Sequence, residues 1–176
     1  MIFLTPVAQL SGQGPDVPFN STYVKTAGNG WTNAFVNVTP TFSGNFKLDA
    51  ICNVSNQYRK FGLSETSYPT RNSSWASNCD WYIYLLNTAQ MRLYEGSTII
   101  GTVNFVAGDR VGFERNGTNM YVIKNGTRVI NASPASSSSV PLLAGMQCYG
   151  TGGDLTEVQV DGLYVPLDSA TGGTIS

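Results

Sequence analysis

The 176-residue chain contains no histidine. That single absence removes imidazole general acid–base catalysis, the Ser-His-Asp and Cys-His nucleophile pairs, and every histidine-ligated metal site. Charge is scarce as well. Asp, Glu, Lys and Arg make up 12% of the sequence, about half of what a soluble domain usually carries. Ten basic residues stand against eleven acidic ones, for a formal net charge of −1. They are scattered singly, with no Lys/Arg run to release counterions from a phosphate backbone, so nucleic acid is not an expected partner. No apolar run approaches the roughly 20 residues that cross a bilayer, and membrane insertion is not expected.

Cysteine is sparse too. Cys52, Cys79 and Cys148 lie far apart and none belongs to a CxxC pair, which gives no support to a zinc or redox motif. Buried thiols in a reducing compartment are one reading. A Cys52–Cys148 bridge is the other, since both residues fall in expected strands. The opening residues, Met1 to Asn20, lack a basic start and a small-residue cleavage site, and their apolar run breaks at Thr5 and Pro6. They are therefore not read as a secretory leader. Asn-x-Ser/Thr sequons begin at Asn20, Asn37, Asn53, Asn72, Asn116, Asn125 and Asn131. Without a leader they reflect turn composition rather than glycosylation.

What is present is equally one-sided. Asn, Ser, Thr and Gly supply about two residues in five and carry the polarity that charge does not. The chain is 41% apolar, with 8 Phe, 9 Tyr and 3 Trp, enough to bury a core. No segment repeats apolar residues at helical spacing beyond two turns, and the period is two almost everywhere. Phe46, Leu48, Ala50 and Cys52 point one way, while Asn45, Lys47, Asp49 and Ile51 point the other. Further strands are expected at Ala34 to Val38 (ended by Pro40), Arg59 to Ser64 and Trp81 to Leu86. In the last of these both faces are apolar, which places it mid-sheet with cover on each side.

The second half reads as successive hairpins. The expected strands are Met91 to Tyr94, Ile99 to Phe105, Arg110 to Arg115, Asn119 to Lys124 and Thr127 to Ile130. Asn116-Gly117 and Asn125-Gly126 are expected as type I′ turns, which need positive φ at both central residues. Leu142 to Tyr149 and Leu155 to Val165 complete the series. Ten to twelve strands at this spacing specify an all-β fold, a two-sheet antiparallel jelly-roll sandwich. Residues 1–22 read as an extended N-terminal arm, residues 23–167 as the sandwich, and residues 168–176 as a flexible tail. Ile2, Phe3 and Leu4 are candidate assembly contacts, because an apolar chain end docks either on its own domain or on a neighbour.

Phe-x-x-Gly-Asp-Arg-Val-Gly-Phe-Glu-Arg-Asn-Gly-Thr from Phe105, followed by Met-Tyr-Val-Ile-Lys-Asn-Gly-Thr-Arg-Val to Val129, resembles the concanavalin A-like lectin/glucanase sandwich. Gly44 to Asp49, Phe61 to Leu63, Trp81 to Tyr84 and Leu155 to Val160 fall where that family places other strands. Domains with this look recur in bacteriophage virion proteins, as tail-fibre, head-fibre or capsid-decoration components. The resemblance implies a virion structural protein that displays a lectin-like sandwich and is made in a host cytoplasm. The partners it implies are capsid or tail proteins, further copies in a homo-oligomer such as a trimer, and bacterial surface polysaccharide. The alternative is a free-standing carbohydrate-binding module with no virion role.

An enzyme is not expected, although glucanases share the sandwich. Retaining glycosidases need two carboxylates about 5 Å apart. Strict alternation puts Asp154 and Glu157 on opposite faces, and Glu157 and Asp161 about 13 Å apart along a strand. Asp80, Asn78, Asp154 and Asp161 have no spacing that demands a metal, and no cofactor is expected. The segment Ser64 to Asp80 is long for a connection between strands. It brings Tyr68, Arg71, Asn72, Trp75, Asn78 and Asp80 together as candidate glycan contacts, pairing aromatic faces with amides and charges that bond hydroxyls. Folding back as the loop's own small core is the competing role for Tyr68 and Trp75. Trp31 and Tyr149 are secondary candidates, Trp31 also serving to anchor the first strand, and Trp81 is assigned to the core.

Overall fold

The structure, a computed structural model, describes residues 23–25, 31, 35–66, 79–150, 154–164, 167–171 and 173–175. These residues form two antiparallel sheets and no helix. The eight-stranded sheet runs β10 (Thr127–Asn131), β9 (Asn119–Lys124), β8 (Arg110–Asn116), β3 (Phe46–Ile51), β12 (Asp154–Val160), β1 (Tyr23–Lys25) and β15 (Gly173–Ile175). The short β13 (Leu163–Tyr164) pairs with β12. The seven-stranded sheet runs β14 (Leu167–Thr171), β2 (Phe35–Phe42), β11 (Leu142–Cys148), β4 (Arg59–Ser64), β5 (Trp81–Leu85), β6 (Gln90–Glu95) and β7 (Thr98–Asn104). This is the jelly-roll sandwich that the alternation specifies.

The period-two pattern decides what lies between the sheets. Phe46, Leu48 and Ala50 of β3 and Val111 and Phe113 of β8 face Phe61 and Leu63 of β4 and Ile83 and Leu85 of β5, all essentially inaccessible. Phe61 meets Phe113 edge-on at 5.7 Å, joining the two sheets at the centre. Trp81 lies in this core as expected, and its indole N–H donates to Ser133 at 3.1 Å. Cys52, Cys79 and Cys148 are buried thiols, so the Cys52–Cys148 bridge is not made.

Several boundaries differ from the sequence reading, each for a local reason. β2 continues through Pro40 to Phe42, because its pairing with β11 shifts between Val38 and Phe42. That irregularity takes in the proline, which has no N–H to give to a ladder. Asn125 (φ 50°) and Gly126 (φ 77°) make the expected type I′ turn. At the other Asn-Gly step, Asn116 pairs with Asn119, so the turn residues are Gly117 and Thr118, and Gly117 alone supplies the positive φ. Asp161 (φ 52°) and Gly162 (φ 80°) form a two-residue turn between β12 and β13, inside what reads as one strand in sequence.

The alternation assumed for β12 is also broken. Glu157 has φ 50°, and the pairing with β3 shifts between Thr156 and Gln159. Leu155 and Val158, three apart, are therefore both buried. Strict parity does not hold across Glu157, and the face assignments of Asp154, Glu157 and Asp161 based on it do not stand. Residues 168–171 and 173–175, placed in a tail by composition, pair with β2 and β1. Residues 1–22, with Ile2, Phe3 and Leu4, lie outside the described residues.

Candidate functional site

The outer face of the eight-stranded sheet is polar and neutralised pair by pair. Arg110 bonds Asp49 at 2.7 Å and reaches Glu157 at 3.3 Å. Arg128 holds Glu114 at 2.7 Å, with its guanidinium 4.0 Å from the Tyr121 ring centre. At the edge of the sandwich, Lys124, across from the inward Val111, approaches Asp109 at 3.8 Å and donates to the Asn104 carbonyl. A shallow depression of about 280 Å3 lies on the outer face, lined by residues that include Lys47, Glu114, Arg115 and Asp161. Its groups are engaged: Asp161 accepts the Lys47 N–H, and Arg115 donates to the carbonyls of Gly44, Val140 and Phe42.

The outer face of the seven-stranded sheet is different. Register places Gln147 of β11 opposite Lys60 of β4, Lys60 opposite Tyr84 of β5, and Tyr84 opposite Arg92 of β6. The adjoining row runs Gly145, Gly62, Tyr82, Tyr94. On the other side the Tyr149 N–H donates to the Tyr58 carbonyl, setting those two side by side. Residues two apart share a face, so Tyr82 and Tyr84, like Lys60 and Gly62, all project outward.

Trp31 closes over this face. Its ring centre lies 5.2 Å from Tyr149 and 5.8 Å from Tyr84, both edge-on. Tyr58 approaches Tyr149 at 5.8 Å and Tyr84 at 5.9 Å, while Tyr82 and Tyr94 stack almost parallel at 4.8 Å. Trp31, Tyr58, Tyr84, Tyr94 and Tyr149 are half-buried. Tyr82 is 4% exposed and packs with Cys79 as a small apolar cluster apart from the main core.

Lys60 sits inside this cradle, 8% exposed, with Nζ 4.2 Å from the Trp31 ring centre and 5.5 Å from that of Tyr84. Aromatic faces stabilise an ammonium through their quadrupole. Burial nonetheless lowers its pKa from the ordinary 10.5, only partly offset by Cys79 nearby. Burial pushes Tyr82 up to about 12, with help from Tyr94, Cys79 and Tyr84. It raises Tyr84 in the same way. At neutral pH the hydroxyls of both are therefore intact donors and acceptors. Gln147 is fully buried; its Nε2 donates to the Trp31 carbonyl, and Oε1 has no hydrogen-bond partner among the described residues.

No acidic side chain joins the cradle among the described residues, because those flanking its strands hold backbone amides. Asp80 Oδ2 accepts the Glu65 N–H at 2.7 Å, Glu65 Oε1 the Ser136 N–H at 2.6 Å, and Glu95 Oε1 the Ser133 N–H at 2.6 Å. Asp80, a candidate glycan contact in sequence, thus clamps the base of the loop between β4 and β5. Tyr68, Arg71, Asn72, Trp75 and Asn78 lie outside the described residues. The secondary candidates Trp31 and Tyr149 do meet. Lys60, Tyr58, Tyr94, Arg92 and Gln147 carry no sequence signal for this site; alternation puts Tyr82 and Tyr84 on one face, and that face, expected to be covered, is left half-open.

No protein-family model matches the chain, and no curated protein matches it. Among solved structures it is similar to a human SPRY domain, with TM-score 0.57 and 16% identity over 80% of this chain and 92% of that one. A legume lectin-like domain from Entamoeba histolytica aligns at TM-score 0.49 and 12% identity, covering 84% and 85% of the two chains. The carbohydrate binding module CBM66 from Bacillus subtilis aligns at 0.47 and 11%, covering 87% and 94%. At such identities the likeness is one of fold alone.

Proposed function

We propose that the chain is a carbohydrate-binding domain whose ligand lies on the aromatic cradle of the seven-stranded sheet. The supporting observation is the contiguous set of half-buried rings, Trp31, Tyr58, Tyr84, Tyr94 and Tyr149, around the Lys60 ammonium. A pyranose has an apolar C–H face that stacks on such rings and hydroxyls that bond their phenols. Binding rather than hydrolysis fits the engagement of the flanking carboxylates with backbone amides. Tyr68, Arg71, Asn72, Trp75 and Asn78, the glycan contacts suggested by the sequence, are kept as further candidates.

The experiment is a glycan array followed by calorimetric titration of the best oligosaccharide against the unmodified chain, Trp31→Ala and Tyr84→Ala. Loss of binding in both variants, with the fold intact by circular dichroism, is expected. Unchanged binding in both would overturn the site. Display on a phage particle is the setting implied by the sequence resemblance, with residues 1–22 as the connector to capsid or tail proteins. Deleting residues 1–22 would then abolish particle incorporation or oligomer formation, whereas a free-standing module would bind as before.

A further inference from the structure

We infer that the ligand of the cradle is an acidic glycan, one bearing a carboxylate such as a uronate or a sialic acid. This rests on the carbohydrate reading above and goes beyond it to the charge of the sugar. The cradle holds two cations and, among the described residues, no anion. Lys60 and Arg92 lie on the two sides of Tyr84 in one cross-strand row. Neither makes an ion pair with a carboxylate among the described residues; Arg92 NH2 donates only to Gln90 Oε1, at 3.1 Å.

Other cations of the molecule find their partners within it, and the buried Arg115 donates to three backbone carbonyls. On the opposite sheet Arg110, Arg128 and Lys124 all have carboxylate partners. The acids that flank the cradle strands, Glu65, Asp80 and Glu95, are turned to backbone amides instead. Holding an ammonium in a cradle 8% exposed is expensive unless something repays it, and ring faces do so only in part. A carboxylate between Lys60 and Arg92 completes the pairing, while the pyranose stacks on Tyr84 and the exposed part of Trp31. Charge-assisted bonds to such a group are about twice as strong as neutral ones, and geometry then selects acidic over neutral sugars.

The test uses the full chain and matched pairs of oligosaccharides that differ only in charge. These are glucuronate-, galacturonate- and mannuronate-containing oligomers against their carboxyl-reduced forms, and sialyllactose against lactose. At low salt at least one acidic member is expected to bind about tenfold tighter than its neutral partner. That preference should shrink as sodium chloride is raised, because screening acts on the charged contact alone. Lys60→Met should bring the ratio close to one, Lys60→Arg should keep it, and Arg92→Gln should lower it severalfold. Equal affinity across every pair overturns the inference and leaves the glycan site standing. A preference that survives both Lys60→Met and Arg92→Gln also overturns it. No binding to any oligosaccharide removes the carbohydrate reading itself, and the inference with it.

Discussion

The two outer faces of this sandwich are built on the same strand geometry and end in opposite chemistry. On the eight-stranded sheet, ions of opposite charge meet across strands, Asp49 with Arg110 and Glu114 with Arg128. On the seven-stranded sheet, the outward neighbours are rings, and the buried Lys60 ammonium is held by ring faces. A neutralised face keeps a protein soluble and needs nothing further. The other face keeps half-buried rings around an ammonium that has no carboxylate partner among the described residues, which is why the proposed binding site is placed there.

The largest expected effect concerns how tightly the polar sheet is drawn together. A Cβ at Gly112 would lie 1.9 Å from the Leu48 carbonyl oxygen and 2.6 Å from the Asp49 Cα, both backbone atoms of β3. Gly112→Ala should cost about 3 kcal/mol, read as a lowered denaturant midpoint. Next comes the test of asymmetry in binding. Trp31→Ala or Tyr84→Ala should each weaken glycan binding by roughly 2 kcal/mol, about thirtyfold, whereas Tyr121→Ala on the polar sheet should leave it unchanged. Equal losses from both faces in titration would erase the distinction.

The two faces should also fail at opposite ends of the pH scale. Hydrogen bonds from Arg128 hold the Glu114 pKa below its ordinary 4.5, against the opposing pull of desolvation. Its contribution is full above pH 4.5 and is lost as pH falls through the lower folded value. Glu114→Gln should therefore flatten the fall in stability between about pH 5 and 3, followed by urea unfolding. On the aromatic face, burial raises Tyr82 from 10 to about 12 and Cys79 from 9 to about 12. Their contributions are complete below the unfolded values and disappear as pH rises through the folded ones.

The smallest effect separates the groups of the aromatic face from each other. Tyr82→Phe should reduce the alkaline loss of stability above pH 10, with little change at pH 7. Lys60 works in the other direction. Its lowered pKa means that the folded state sheds its proton first, so stability associated with this group rises with pH. Its charge, and with it any preference for acidic glycans, should fade below pH 10.5 while the Tyr82 phenol is still protonated. Titration of a matched acidic and neutral sugar between pH 7 and 10.5 would separate the two contributions.

Much of the architecture was legible in the sequence, because alternation is a local property. The inward set Phe46, Leu48, Ala50 and Cys52, the limits of β4 and β9, and the Asn125-Gly126 turn all follow from neighbours along the chain. The departures arose where a residue was inserted or a turn was hidden. The shift at Glu157 reversed the parity of β12, and Asp161-Gly162 turned inside a run of apolar character. Neither changes local composition enough to be visible without the partner strand.

The candidate site shows the same division more sharply. The sequence by itself determined the fold class, the scarcity of charge and the lack of any histidine chemistry. It also determined that Tyr82 and Tyr84 would share a face. Only the tertiary structure decided that Lys60, Gln147 and Arg92 would stand in one row with Tyr84, and that Trp31 would lie over them. Trp31 and Gln147 are 116 residues apart and meet through a single hydrogen bond from the Gln147 amide to the Trp31 carbonyl. The physical reason is that a sheet's side-chain period is local, whereas the order and register of its strands are set by pairing across the whole chain.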